Sequence, residues 1–129
     1  MIVDSSAIIA ILLDEPEKPL FIKRIVQGAP ASLSAASWVE LAAVLTRRND
    51  DRIASLYKLV DELEIGIADI DIVQARIGHD AYRRYGRGSG HPANLNFGDC
   101  FAYALSRATG APLLFKGDDF IHTDVAIAA

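Results

Sequence analysis

The run Met1-Ile2-Val3 is apolar, stops on Asp4, and is followed at once by Ser5-Ser6 and the helix-like Ala7-Ile8-Ile9-Ala10-Ile11-Leu12-Leu13. A strand that passes straight into a helix is the opening of an α/β fold, and the pattern recurs. Strand-like runs appear at 31–34, 65–70 and 112–115 with helical patterns between them, and 123–127 offers a short edge strand. Alternating β and α elements predict a mostly parallel central sheet of four to five strands flanked by helices. No internal repeat, low-complexity segment or linker interrupts the pattern, so 1–129 is expected to be a single domain.

The helices follow from apolar spacing. Trp38, Leu41, Ala42 and Leu45 recur at i, i+3, i+4 and i+7 after a polar opening at Ser34 and Ser37, which places Trp38 in the core and Glu40 at the border of the stripe. Ile53, Leu56, Leu59, Val60 and Leu63 give an amphipathic stretch over 52–63, and another runs from Ile72 towards Tyr85. Residues 86–96, rich in Gly, Asn and Pro, carry no hydrophobic period and are expected to form a surface loop. No strand precedes their glycines, so they make no phosphate-binding fingerprint. Phe97-Gly98-Asp99 then opens a helix through Phe101, Ala104, Leu105 and Ala108, which ends at Gly110.

Composition narrows the classes of function. The chain is 51% hydrophobic and 23% charged, an ordinary globular balance. Cys100 is its only cysteine, which rules out an internal disulfide and a cysteine-rich zinc site, suits a reducing cytoplasm, and reads as a small buried residue. The apolar stretch 7–13 is too short to span a bilayer and, with Asp4 ahead of it and no basic residue, makes a poor signal peptide, so no membrane partner is expected. A net charge of −4 argues against gripping nucleic acid by bulk electrostatics. It leaves room for an enzyme acting on a phosphodiester, because a carboxylate cluster filled by divalent cations loses its negative field.

The acids themselves are the candidate site. In an open α/β sheet, ligands bind beyond the carboxyl ends of the strands, and Asp4 ends the first strand while Asp118 and Asp119 follow Leu113-Leu114-Phe115 through the turn Lys116-Gly117. Asp99 at a helix start and Glu40 within a helix reach the same rim if their helices pack against it. Ionised acids gathered in this way repel, and their pKa values rise unless a cation joins them. All-oxygen ligands suit Mg²⁺ or Mn²⁺, and the chemistry they support is attack of an activated water on a phosphodiester.

Taken together, Met1-Ile2-Val3-Asp4-Ser5-Ser6-Ala7, Ser34-Ala35-Ala36-Ser37-Trp38-Val39-Glu40-Leu41, Leu95-Asn96-Phe97-Gly98-Asp99-Cys100-Phe101-Ala102-Tyr103-Ala104 and Leu113-Leu114-Phe115-Lys116-Gly117-Asp118-Asp119-Phe120, continuing to Thr123-Asp124, resemble a PIN domain of the VapC toxin type. These motifs cover nearly the whole chain. The resemblance implies a PIN-like fold and the ribonuclease half of a type II toxin–antitoxin (VapBC) pair, cutting tRNA or another structured RNA with Mg²⁺ or Mn²⁺. It assigns Asp4, Glu40 and Asp99 to the three principal acidic positions and Asp119 to the fourth, with Asp118 as a neighbouring metal candidate and the hydroxyl of Ser5 or Ser6 supporting the metal shell. It further implies a VapB-type antitoxin that binds DNA, a homodimer, a toxin–antitoxin hetero-oligomer, and a groove for the antitoxin near Ile9, Leu12, Leu13 and Trp38.

Each feature also has a plainer reading. Asp99 alone suits a helix cap, Glu40 a solvated helix face, and Gly117-Asp118-Asp119 a turn. Arg83, Arg84 and Arg87, interleaved with Tyr82, Tyr85 and His91, read either as phosphate and base contacts for RNA or as cations at a solvated helix end. Lys116 is a further candidate phosphate contact, and Arg47, Arg48 and Arg52 raise the same question. His79, His91 and His122 are scattered and carry no catalytic pattern. A phospho-receiver domain is the main alternative, but it needs an acceptor acid closing a middle strand, and its candidate, Asp69-Ile70-Asp71, comes without the acid pair expected after the first strand. A haloacid dehalogenase-type phosphatase needs a second acid where Ser6 stands, and a binding-only protein with a decayed site fits poorly with an intact acid set.

Overall fold

The computed structural model describes residues 1–48 and 52–128. Strand β1 (Ile2–Val3) leads into α1 (Ser5–Leu12) and α2 (Lys18–Gln27). β2 (Ala31–Ser34) is followed by α3 (Ala35–Arg47) and α4 (Arg52–Glu62), and β3 (Ile65–Ala68) by α5 (Ile72–Tyr85). The chain closes with α6 (Asp99–Thr109), β4 (Leu113–Leu114) and a 3-10 turn at Phe120–His122. The sheet order is β3-β2-β1-β4 and every pairing is parallel, with Ile2 in register with both Ser32 and Leu113. The α/β expectation therefore holds, with four strands and six helices among the described residues.

The short central strands are buried on both faces, as parallel strands under helices are. Successive side chains on a strand point to opposite faces. Val3 and Leu114 accordingly join one core with Ile8, Ile11, Ile25, Leu33, Leu41, Leu45 and Leu56, beneath α1 to α4. Ile2 and Leu113 join the other with Ala81, Tyr85, Tyr103 and Leu105, beneath α5 and α6. Trp38 packs at the margin of the first core, edge-to-face on Tyr57 with ring centroids 5.0 Å apart, and is only half-buried.

Two expectations need correction. The edge strand expected at 123–127 is a single bridge, Leu113 to Ile127, closed by Leu113 N–H on the Ala126 carbonyl at 2.8 Å and Ala128 N–H on the Leu113 carbonyl at 2.9 Å. β4 is only two residues long, so its outer edge offers a partner for one bridge and no more. The loop 86–96 is not wholly on the surface. Ala93 and Leu95 are buried in the second core, and Leu95 N–H bonds the Tyr85 carbonyl at 2.8 Å, which folds the loop back on the end of α5. Among the described residues, no helix is long and apolar enough to cross a membrane.

Because all strands run the same way, the turns after β1, β2 and β4 share one rim. Lys116 N–H donates to Ser6 Oγ at 3.0 Å and ties the β4 turn to the start of α1. Gly117, at φ 106°, lies where only glycine turns without strain and redirects the chain towards Asp118 and Asp119.

Candidate active site at the carboxyl rim

Asp4 leaves β1 in an extended conformation and caps α1, its Oδ2 accepting from Ser6 N–H at 3.0 Å. It is 3% exposed. Burial raises its pKa against the pull of the Ser6 hydrogen bonds, and the charge of Glu40 raises it further. A carboxylate fixed by backbone geometry on a two-residue central strand has little freedom to move, which suits a reference point for a site.

Glu40 reaches the same place from the middle of α3. Its Oε1 accepts from Ser5 Oγ at 2.7 Å, next to Asp4 in the chain. Its other oxygen lies directly over Gly98, where a Cβ would collide with Oε2 and stand 3.0 Å from Cδ. Glu40 thus bridges the N-termini of α1 and α6, where helix dipoles favour negative charge. The border position in the α3 stripe is what turns it to the rim rather than to solvent.

Asp99 is the first residue of α6, with Gly98 at the cap position. Asp99 takes part in capping α6, as the inner member of a capping box rather than as the cap residue itself. Its Oδ2 accepts from Asn96 N–H at 3.0 Å, and Asn96 Oδ1 accepts from Asp99 N–H at 2.9 Å. Asn96 therefore serves the orphan donor at the helix start, and Asp99 is held by a reciprocal bond. Burial, overcoming the Asn96 hydrogen bond and reinforced by the charges of Asp4, Asp119 and Glu40, pushes its carboxyl up to about 7.

These influences bring Asp4, Glu40, Asp99 and Asp119 into one electrostatic neighbourhood. Asp119 is exposed, at the entry of the 3-10 turn, and it is the member of the Asp118-Asp119 pair whose charge stands among the main influences on Asp99. Among the described residues, no three Asp, Glu, His or Cys side chains are already closed into an ion-binding cluster.

Three of the basic candidates, Arg83, Arg84 and Lys116, are engaged by acids outside the site. Arg83 and Arg84 both pair with Asp80, at 2.7 and 2.8 Å. Arg84 also donates to Tyr85 Oη at 3.2 Å and Tyr103 Oη at 3.1 Å and stacks over the Tyr85 ring at 4.7 Å, so its guanidinium is committed within the protein. Lys116 pairs with Glu15 and, at 3.3 Å, with Glu17. Arg87 is exposed beside the loop. Of the antitoxin-groove candidates, Ile9, Leu12 and Trp38 pack against the first core while keeping part of their surface open, and Leu13 is half-buried.

The arrangement weighs against the receiver alternative. β3 is an edge strand, and Asp71 is spent capping α5, accepting from Gln74 N–H at 2.8 Å. Position 6, where a dehalogenase-type phosphatase needs its acid, holds the hydroxyl that accepts from Lys116. The resemblance had offered the hydroxyl of Ser5 or Ser6 as support for the metal shell, but its partner Glu40 and the role of Asn96 escaped the sequence reading. An Asn three residues before an acid at a helix start was the available signal for the second.

Comparison with known proteins decides the family. The model of the PIN domain family matches residues 1–126. The chain belongs to the PIN-domain family. Ribonuclease VapC42 of Mycobacterium tuberculosis is 47% identical to this PIN domain over 126 residues, covering 97% of this chain and 96% of the relative. Ribonuclease VapC28 of the same organism is also 47% identical over 126 residues, covering 97% and 95%. Ribonuclease VapC of Mycolicibacterium smegmatis is 41% identical over 127 residues, covering 98% of each chain. This is therefore a PIN domain of the VapC type, as its motifs suggested.

Proposed function

We propose that this chain is a metal-dependent endoribonuclease and the toxin of a type II toxin–antitoxin pair, acting in the cytoplasm on tRNA or another structured RNA. The observation that carries the reading is the electrostatic convergence of Asp4, Glu40 and Asp119 on Asp99 at the carboxyl rim of the sheet. The ribonuclease names of relatives that align over nearly the full chain support it.

A divalent cation fits these residues on two grounds. The donors are all carboxylate oxygens, which suit a hard ion such as Mg²⁺ or Mn²⁺. Burial and neighbouring acids raise Asp4 and Asp99 against the hydrogen bonds of Ser6 and Asn96, and no protein cation stands among the principal influences to balance the charge. Asp4, Asp99 and Asp119 would hold the ion, with Glu40 holding it or orienting the attacking water and Asp118 a neighbour. When bound, the ion supplies positive charge at the phosphodiester and activates water for attack.

The protein's own part is positioning. Ser6 N–H fixes Asp4, Asn96 N–H fixes Asp99, Ser5 Oγ aims Glu40, and the bare Cα of Gly98 leaves space for the Glu40 carboxylate. Arg87 and the exposed end of α5 are suited to meeting phosphates. A VapB-type antitoxin covering the α1–α3 side near Leu12, Leu13 and Trp38, and a homodimer, complete the reading.

The test is RNA cleavage by purified protein treated with EDTA and then supplied with Mn²⁺ or Mg²⁺. Cleavage that stops on chelation and returns with either ion is expected. Cleavage indifferent to chelation contradicts the metal role, and transfer of phosphate to this chain from a small phosphodonor favours a receiver instead.

A further inference from the structure

The sheet ends on an open edge. β3 pairs with β2 on one side, and among the described residues no strand pairs with the other. An edge strand carries backbone N–H and C=O groups with no ladder partner, and folded proteins blunt such edges with lysine, proline or a bulge. β3 has none of these. It reads Ile65-Gly66-Ile67-Ala68, its register with Ala31–Ser34 is one to one, and Gly66 and Ile67 are exposed. Gly66 sharpens the point, because glycine within a strand weakens it and often marks close approach of another backbone. Nothing inside the protein asks for it. Gly66 has no positive φ, and a Cβ there would stand 3.7 Å from Ser32 Oγ and 3.8 Å from the Ala31 carbonyl oxygen, both ordinary contacts.

The surroundings of this edge have one sign. Residues 59–75 contain five acids, Asp61, Glu62, Glu64, Asp69 and Asp71, and no lysine or arginine, so this one segment carries more negative charge than the whole chain's net −4. An open hollow at the start of β3, lined by Tyr57, Lys58, Val60, Asp61, Glu64 and Ile65, sets two of these acids beside apolar surface, and its one cation reaches back to Glu62 at 3.8 Å. At the other end of the strand, exposed Ile70, Ile72 and Val73 continue the apolar surface onto the start of α5.

We propose that the outer edge of β3 is a docking site for an extended, basic segment of another polypeptide, which adds to the sheet as a further strand. Main-chain hydrogen bonds to β3 hold the segment, its lysine or arginine side chains meet the acids at the two ends of the strand, and its apolar side chains cover Ile67 and the hollow. Charge selects this occupant. A second copy of the chain, paired antiparallel across Gly66 and Ile67, sets Glu64 of each copy opposite Asp69 of the other, and like charges directly opposite are destabilising in a sheet. RNA, a polyanion, meets the same repulsion. An apolar helix leaves both the ladder groups and the acids unmet. The inference stands apart from the nuclease reading, since it uses none of the rim acids.

The experiment adds capped octapeptides to the full ¹⁵N-labelled chain and follows amide shifts and hydrogen exchange by NMR. One peptide alternates lysine and valine, a second alternates glutamate and valine, and a third is the lysine–valine peptide N-methylated at every residue, which keeps its charge and side chains but has no N–H. The first is expected to shift the amides of Gly66 and Ile67 and to slow exchange within β3, and the second to do neither. N-methylation should weaken binding about tenfold or more, through the lost ladder bonds. The double variant Asp61→Lys, Asp69→Lys, at two exposed positions, should weaken the lysine–valine peptide about tenfold and make the glutamate–valine peptide the tighter of the two.

Silence at Gly66 and Ile67 with every peptide overturns the proposal, as does binding that is indifferent to peptide charge or to N-methylation. Protection of β3 that is present without peptide and grows with protein concentration assigns the edge to a second copy and overturns it as well.

Discussion

At the scale of the residue, the site depends on carboxylates kept close to one another at a cost to the fold. Removing one should therefore help stability and harm activity. Asp99→Asn keeps the acceptor for Asn96 N–H but drops a charge that burial and three neighbouring acids oppose. In metal-free protein at pH 8, thermal unfolding of this variant is expected at or above the wild-type midpoint, by about 1–2 kcal/mol after allowance for solvent screening. Its RNA cleavage is expected to fall about 100- to 10,000-fold. Gly98→Ala separates geometry from charge. Gly98 has φ −63° and ψ −36°, a helical conformation that alanine adopts freely, so the added methyl meets chiefly the Glu40 carboxylate and, less closely, Asn96 Oδ1 at 3.3 Å. A drop in cleavage with an unchanged or raised unfolding temperature is expected, and in the Glu40→Ala background the same change should have little further effect. Ser5→Ala should lower turnover about tenfold, with Ser5→Thr restoring part of it, if the hydroxyl acts by aiming Glu40.

At the scale of the element, much was legible because each strand-to-helix junction carries its own chemistry. Asp4 could be read from the sequence, since an apolar run stopping on an acid before a helix leaves few alternatives. The helix α2 was harder, because Pro16 and Pro19 look like punctuation. Pro19 falls in the first turn, where its missing N–H has no helical partner to lose, and Phe21 and Ile25 supply the buried face. Leu95 was hidden for another reason, since one apolar residue among glycines has no period, and only contact with Tyr85 and Tyr103 draws the loop inward. The pairing of Asn96 with Asp99 is local and its spacing was there to be read, whereas that of Ser5 with Glu40 joins residues 35 apart and no local pattern encodes it.

The α5–α6 pair has a polar anchor of the same kind. Buried Tyr103 donates to Asp124 and accepts from Arg84. Burial alone would raise the Asp124 pKa, but the Tyr103 hydroxyl, Arg107 and Arg84 together hold it below the usual value. A depressed folded-state pKa contributes stability above the unfolded value, near 3.9, and that contribution is lost as pH falls through the folded value. Asp124→Asn is therefore expected to lower stability at neutral pH and to flatten the loss of stability below about pH 4, as read by urea unfolding. Tyr103→Phe should cost about 0.5–1.5 kcal/mol, the net worth of a hydrogen bond whose partners, Asp124 and Arg84, stay exposed to water.

At the scale of the molecule, the parallel sheet explains why acids far apart in sequence meet. One strand order, β3-β2-β1-β4, sends the turns after β1 and β4 to the same rim, and α3 and α6 deliver Glu40 and Asp99 from opposite faces. If a divalent ion is what relieves their repulsion, Mn²⁺ or Mg²⁺ should raise the unfolding temperature of wild type and raise that of Asp99→Asn much less, as measured by calorimetry across a metal titration. The central claim, that this rim cuts RNA, is tested most directly by inducing wild type and Asp99→Asn in parallel and sequencing the newly formed RNA ends while following growth. Discrete new ends and growth arrest with wild type alone are the predicted result. Identical RNA ends from the two proteins, both folded and free of antitoxin, would contradict it.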